Sequence, residues 1–201
     1  MLSRLLKGRF DLPLGHLIRL LPDHKSVPSV LTLIGLFFSL ITGIFFAFGY
    51  LRVGGILILF AGLFDILDGV YARAFSRASS FGAFLDSTSD RYSDMFVLSG
   101  LGIMYAQKIA LGYLTLTLVT MIGFVMVSYT KARAESIIQR CDVGIMERPE
   151  RIIILALGAL ILRMEICLWI LAALTHFTVL QRVWYTYQKT EVKEIEVKEV
   201  F

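Results

Sequence analysis

Four apolar runs, at residues 28–50, 53–75, 83–106 and 110–130, follow one another with only short polar breaks. Each reaches the roughly 20 residues that a helix needs to cross a bilayer's hydrocarbon. Two shorter runs follow at 152–164 and 166–181, and Arg163 and Glu165 between them predict a turn rather than one continuous helix. In hydrocarbon a backbone must satisfy its own hydrogen bonds, so runs of this kind predict helices. With 57% hydrophobic residues, 18% charged residues and a mean hydropathy of +0.73, an ordinary soluble domain is excluded. The expected fold class is all-α integral membrane, with six transmembrane helices plus an N-terminal interfacial amphipathic helix.

Charge placement gives this layout a direction. With both termini inside, only Arg52, Lys108 and Arg163 of the 20 Lys and Arg residues fall outside. That is a strong positive-inside bias. It assigns the net charge of +4 to topology rather than to nucleic-acid binding. Residues 1–26 space Leu2, Leu5, Leu6, Phe10, Leu14, Leu17, Ile18 and Leu21 at threes and fours among basic residues, which predicts a helix lying in the interface. The basic start lacks the long apolar core of a cleavable signal peptide. Cys141 and Cys167 show no metal or redox spacing. Three segments are expected: the interfacial helix at 1–26, a six-helix membrane domain at 27–185 and a charged tail at 186–201.

The apolar background makes the exceptions informative. Asp65, Asp68, Asp86 and Asp90, with Gly69, Ala72, Arg73 and Gly82, sit at the ends of the second and third spans. A charge at mid-bilayer costs at least ~2.5–3.5 kcal/mol on insertion scales, so four carboxylates need compensation. Asp65 and Asp68 share one helix face at i,i+3, and Asp86 and Asp90 share another at i,i+4. A polar turn near 76–80 makes the two helices antiparallel neighbours with their carboxylate pairs facing. Hard divalent cations take carboxylate oxygens, and Mg²⁺ also binds substrate phosphates. Small residues beside the pairs admit a ligand close to the backbone. Arg73 offers a guanidinium matched to phosphate oxygens. Asp94 extends the third-span face by one more i+4 step and is expected to support the site from outside it.

Asp65-x2-Asp68-Gly69-x2-Ala72-Arg73-x8-Gly82-x3-Asp86-x3-Asp90 places eight fixed residues in 26 positions. It resembles the signature of the CDP-alcohol phosphotransferase family at every position. The resemblance implies a six-helix membrane enzyme, usually a homodimer, that moves a phosphoalcohol from a CDP-linked donor to a hydroxyl acceptor and releases CMP. It implies that Asp65, Asp68, Asp86 and Asp90 hold Mg²⁺, with Mn²⁺ as the alternative, and that Asp90 is also the general base. It places Gly69, Arg73 and Ser79 against the CDP moiety, with Ala72 and Gly82 giving room. Pro28-Ser29-Val30-Leu31-Thr32 resembles the family's Pro-Asn-x-x-Thr entry to the first helix, with Ser29 in place of Asn.

The acceptor must be read from the later spans. Lys131 and Arg151 flank the loop after the fourth span, and Arg182 closes the sixth at the same level. Cations gathered beside a phosphotransfer site point to an anionic acceptor such as a phosphate monoester. The Ser128-Tyr-Thr-Lys131-Ala-Arg133-Ala-Glu135 and Gly144-Ile-Met-Glu147-Arg148-Pro-Glu150-Arg151 runs resemble the family's inositol-phosphate-using branch. By that resemblance Ser128, Lys131 and Arg151 hold the acceptor phosphate, with Thr88 nearby and Arg182 at the end of the last span. Arg133, Arg148, Glu147 and Glu150 are expected to pair among themselves and shape the loop.

The expected function is transfer of a phospholipid moiety from CDP-diacylglycerol or CDP-archaeol to inositol 1-phosphate or another phosphorylated polyol, at the cytoplasmic face of the cell membrane. The alternative acceptor is glycerol 3-phosphate, in a phosphatidylglycerophosphate-type synthase. A divalent-cation transporter is the alternative from another class, since clustered intramembrane carboxylates also line ion paths. The one-sided position of the Asp cluster argues against it.

Overall fold

A computed structural model describes residues 23–199, with side chains through Glu191. It contains six helices among these residues: α1 (Val27–Ala47), α2 (Leu51–Ala74), α3 (Ser80–Gln107), α4 (Leu111–Glu135), α5 (Arg148–Leu160) and α6 (Met164–Glu199). Residues 1–22 of the expected interfacial helix lie outside the described residues, and 23–26 form a turn into α1. The expected tail is helical as far as Glu199, because α6 continues through it without a break.

The protein is an integral membrane helical protein. Four helices, α1, α2, α4 and α6, are long and apolar enough to cross a membrane by themselves. The other two depart from a simple six-span reading for different reasons. At 28 residues α3 has the length, but it carries Asp86, Asp90, Arg91 and Asp94 between its N-terminus and its middle. At 13 residues α5 is only about 20 Å long, too short to cross alone. It begins at the depth of Asp65, about 13 Å from the end of α2, because its first residue, Arg148, reaches that carboxylate. The preceding loop therefore enters the bundle and buries Ile138, Cys141 and Met146.

Small residues set the packing order. The backbones of α1 and α3 touch at Gly43 and Gly100, where a Cβ on Gly100 would stand 2.0 Å from the Gly43 carbonyl oxygen. The pairs Thr32/Asp68, Gly35/Asp65 and Phe46/Gly54 run α1 antiparallel to α2. The pairs Gly55/Ala159 and Gly62/Ile152 do the same for α2 and α5. Each helix packs chiefly on two others, in the circuit α1–α2–α5–α6–α4–α3 and back to α1. Consecutive helices α2 and α3 are thus not packed neighbours as expected; α1 lies between them, and their acidic faces look at each other across the interior.

The two ends of the circuit differ. Toward the α3–α4 turn the interior is filled by Phe46, Ile58, Leu98, Leu101, Leu155, Ala159, Leu168 and Leu171, every one at most 3% exposed. Toward the α2–α3 turn it opens and becomes polar. Burying a Leu- or Phe-sized side chain contributes roughly 1.5–3 kcal/mol in a water-based reckoning. In lipid, close van der Waals packing of this kind carries the association instead.

Candidate active site

The polar end contains two groups of side chains. The first lines a cleft of about 220 Å³ between the start of α1, the end of α2 and the start of α3. Its walls include Pro28, Ser29 and Thr32 from α1, Asp68, Gly69, Ala72 and Arg73 from α2, and Ser79, Gly82 and Asp86 around the α3 N-terminus. The local sequence explains several of these positions. Pro28 starts α1 where no intrahelical donor is needed. Ser79 caps α3, its Oγ accepting from the Gly82 N–H at 3.0 Å. A Cβ on Gly69 would stand 3.2 Å from Arg73 Nη1, so the glycine leaves space for the guanidinium to fold back over α2. Arg77 pairs with Asp23 at 3.1 Å, joining the cleft's loop to the segment before α1.

Two residues expected in the cleft lie elsewhere. Val30 is 50% exposed on the outer side of α1, and Leu31 is buried against Leu67, Val70 and Tyr71. The helical period turns both away from a face that Ser29 and Thr32 share at i,i+3.

The second group spans the interior. Thr32 donates to Asp68 Oδ2 at 2.6 Å. Asp65 Oδ1 abuts Gly35, where a Cβ would come within 3.1 Å, and its Oδ2 pairs with Arg148. The same Arg148 nitrogen lies 2.7 Å from Asp90 Oδ1. Asp86 lies one turn before Asp90 on α3, so the two share a helix face. One turn deeper on both α3 and α5, Asp94 and Arg151 pair at 3.1 Å. The Asp90–Arg148 and Asp94–Arg151 pairs form two rungs between helices that do not otherwise pack together.

The expected acceptor cations gather along α4. Arg151 donates to the Phe124 carbonyl at 3.1 Å and stacks 4.4 Å from the Phe124 ring centre. Arg182 donates to the Val127 carbonyl and, at 3.0 Å, to the Val143 carbonyl of the inserted loop. Lys131, the next turn of α4, pairs with Glu147 at 3.7 Å. Ser128 is half-buried on the same stretch. Thr88 lies on α3, its hydroxyl donating to the Phe84 carbonyl of its own helix.

Sequence reasoning missed Arg148 and Gly35. Arg148 does not merely shape the loop; it reaches two motif carboxylates. The signal was present, since Pro149 marks a helix start and places Arg148 and Arg151 on one face at i,i+3. Nothing in the local sequence of α1 singled out Gly35. Asp94, expected as a supporting residue, is the carboxylate that holds Arg151.

A divalent ion fits the donor chemistry of this site. Asp65, Asp68, Asp86 and Asp90 supply hard oxygen atoms, and the guanidinium of Arg148 already lies against two of them, Asp65 and Asp90. Among the described residues no three acidic groups yet converge on one point. Arg148 takes Asp65 and Asp90, and Thr32 takes Asp68.

Comparison with known proteins agrees with the motif. Residues 25–183 match the family model for CDP-alcohol phosphatidyltransferase. An archaetidylinositol phosphate synthase of Pyrococcus horikoshii is 36% identical over 196 residues, covering 96% of this chain and 100% of that one. The crystal structure of Mycobacterium tuberculosis phosphatidylinositol phosphate synthase with CDP-DAG bound superposes with a TM-score of 0.77 at 32% identity, covering 90% and 94% of the two chains. A second structure of that protein, in complex with manganese and citrate, gives 0.73 at 34% identity over 80% and 82%. This chain belongs to the CDP-alcohol phosphatidyltransferase family and is a multi-pass membrane enzyme of that class.

Proposed function

We propose that the enzyme transfers the phospholipid moiety of a CDP-linked lipid, CDP-diacylglycerol or CDP-archaeol, to inositol 1-phosphate and releases CMP. The observation that carries the acceptor is the buried cationic pair Arg151 and Arg182, each 2% exposed, with Asp94 as the carboxylate partner of Arg151. Buried guanidiniums gathered in this way favour an incoming anion. Relatives named as inositol phosphate lipid synthases match 96% and 78% of this chain, which supports the choice of anion.

In this reading the cleft between α1, α2 and α3 takes the CDP headgroup. Arg73 meets phosphate oxygens, Gly69, Ala72 and Gly82 allow close approach, and Ser29, Thr32 and Ser79 offer hydroxyls. The lipid tails remain in the bilayer. Asp65, Asp68, Asp86 and Asp90 would hold Mg²⁺ or Mn²⁺, which when bound neutralises charge on the diphosphate and on the departing CMP. Lys131, Arg151 and Arg182 orient the acceptor phosphate, with Ser128 and Thr88 at the edge of that pocket. Asp90 takes the proton of the attacking hydroxyl, whose oxygen bonds to the β-phosphorus as the bond to CMP breaks. We place the site and both termini on the cytoplasmic side, in a homodimer.

The test is CMP release by purified enzyme given CDP-lipid and Mg²⁺ with inositol 1-phosphate, glycerol 3-phosphate or free inositol. Turnover is expected with the first alone. Turnover with glycerol 3-phosphate in its place would sink the acceptor and leave the family intact.

A further inference from the structure

The helices that carry the acidic motif do not pack on each other, and one guanidinium joins them. Arg148 Nη1 contacts Asp65 Oδ2 on α2 and lies 2.7 Å from Asp90 Oδ1 on α3. The alternative oxygen of Asp65 is not equivalent, because it faces Gly35 on α1. The oxygen that Arg148 occupies is therefore the one Asp65 presents to the interior. An arginine at the first turn of a helix is also electrostatically disfavoured, since that end of α5 carries partial positive charge. Its position is explained by the carboxylates, not by the helix.

We propose that Arg148 is a tethered internal cation that competes with the divalent ion for Asp65 and Asp90. In the metal-free protein its guanidinium bridges α2 and α3 and relieves repulsion among the four carboxylates. Metal loading is then an exchange: the guanidinium leaves the Asp65 and Asp90 oxygens as the ion takes them. The net affinity for metal is lower than the carboxylates alone would give. This rests on the reading that the motif carboxylates hold the metal.

The experiment uses the full chain in detergent, as wild type, Arg148→Gln, Arg148→Lys and Asp65→Asn. Mn²⁺ binding is titrated by electron paramagnetic resonance, and melting is followed in chelator and in saturating Mn²⁺. Arg148→Gln is expected to bind Mn²⁺ about tenfold tighter than wild type and to gain more in Tm from it. Arg148→Lys keeps a charge without the planar fork and should fall between them. Equal or weaker Mn²⁺ binding by Arg148→Gln overturns the competition. Wild type that binds no Mn²⁺, or Asp65→Asn that binds it like wild type, overturns the metal assignment instead. Should Arg148→Gln not fold, hydrogen exchange on wild type decides the matter. Mn²⁺ must raise exchange across residues 143–150, and unchanged protection there overturns the proposal.

Discussion

The Thr32 hydroxyl donates to Asp68 at 2.6 Å across the α1–α2 seam, with both residues buried. Both residues line the cleft. Thr32→Val keeps the shape and removes the donor, leaving a buried acceptor unsatisfied at a cost of about 1–3 kcal/mol. A lower Tm and a raised KM for CDP-lipid are expected. A variant indistinguishable from wild type in both would mean that water supplies the bond equally well.

Arg151 combines a buried ion pair, a carbonyl contact and a stack on Phe124. Arg151→Lys retains charge but loses the planar fork and the stack. It should raise the KM for the acceptor by about tenfold, or ~1.4 kcal/mol, and leave the KM for CDP-lipid nearly unchanged. Asp94→Asn should move the same constant in the same direction, because Arg151 loses the partner that holds it in position, and that loss outweighs the removal of a negative charge. Equal effects on both substrates would assign this pair to the fold.

Chelation should abolish CMP release, with Mg²⁺ or Mn²⁺ restoring it. Asp90→Asn should remain unable to turn over at saturating metal, losing about 10²-fold or more for want of its base. Recovery of Asp90→Asn at high metal concentration would make that carboxylate a ligand alone.

Two glycines give opposite expectations for stability. Gly100→Ala forces a Cβ to 2.0 Å from the Gly43 carbonyl oxygen and must part α1 from α3. Overpacking of this kind typically costs 1–3 kcal/mol or somewhat more, roughly judged, because backbone rather than side chain must move. Gly112→Ala on α4 meets nothing within 4 Å and should be neutral or stabilising by up to about 1 kcal/mol. Thermal melting of the two variants in the same detergent compares them directly.

The proposed topology, with the site and both termini on the cytoplasmic side, predicts where reporters will be read. Fusions in the turns at 108–110 and 161–163 should report the outer side. Fusions at 76–79 and 136–146 should report the cytoplasm. An outside signal from the 136–146 loop would place the acceptor cations on the wrong face for a soluble phosphate.

Much of this was legible from residue order alone. Hydropathy located the helices, and the positions Asp65, Asp68, Asp86 and Asp90 announced the site by their improbability in lipid. The arrangement around them was not legible, because hydropathy carries no information about which apolar faces meet. The meeting of α1 with α3 depends on Gly43 and Gly100, and that of α2 with α5 on Gly55 and Ala159, contacts between residues far apart in sequence. The role of Arg148 escaped for the same reason. Its partner Asp65 lies 83 residues away, and only the insertion of the 136–147 loop brings α5 down to that level. Periodicity did contain the correction for Val30 and Leu31, since neither shares a face with both Ser29 and Thr32.

The dry packing of Phe46, Leu98, Leu101, Leu155 and Leu168 divides the molecule electrically. A polar recess open at one end and sealed at the other is equipotential with the water it adjoins. The voltage across the membrane then falls over the apolar half, whose filling side chains are uncharged. Phosphotransfer in the recess is accordingly expected to be insulated from the energised state of the cell. In sealed vesicles its rate should be indifferent to an imposed diffusion potential, and lipid synthesis could continue while the gradient that drives transport collapses.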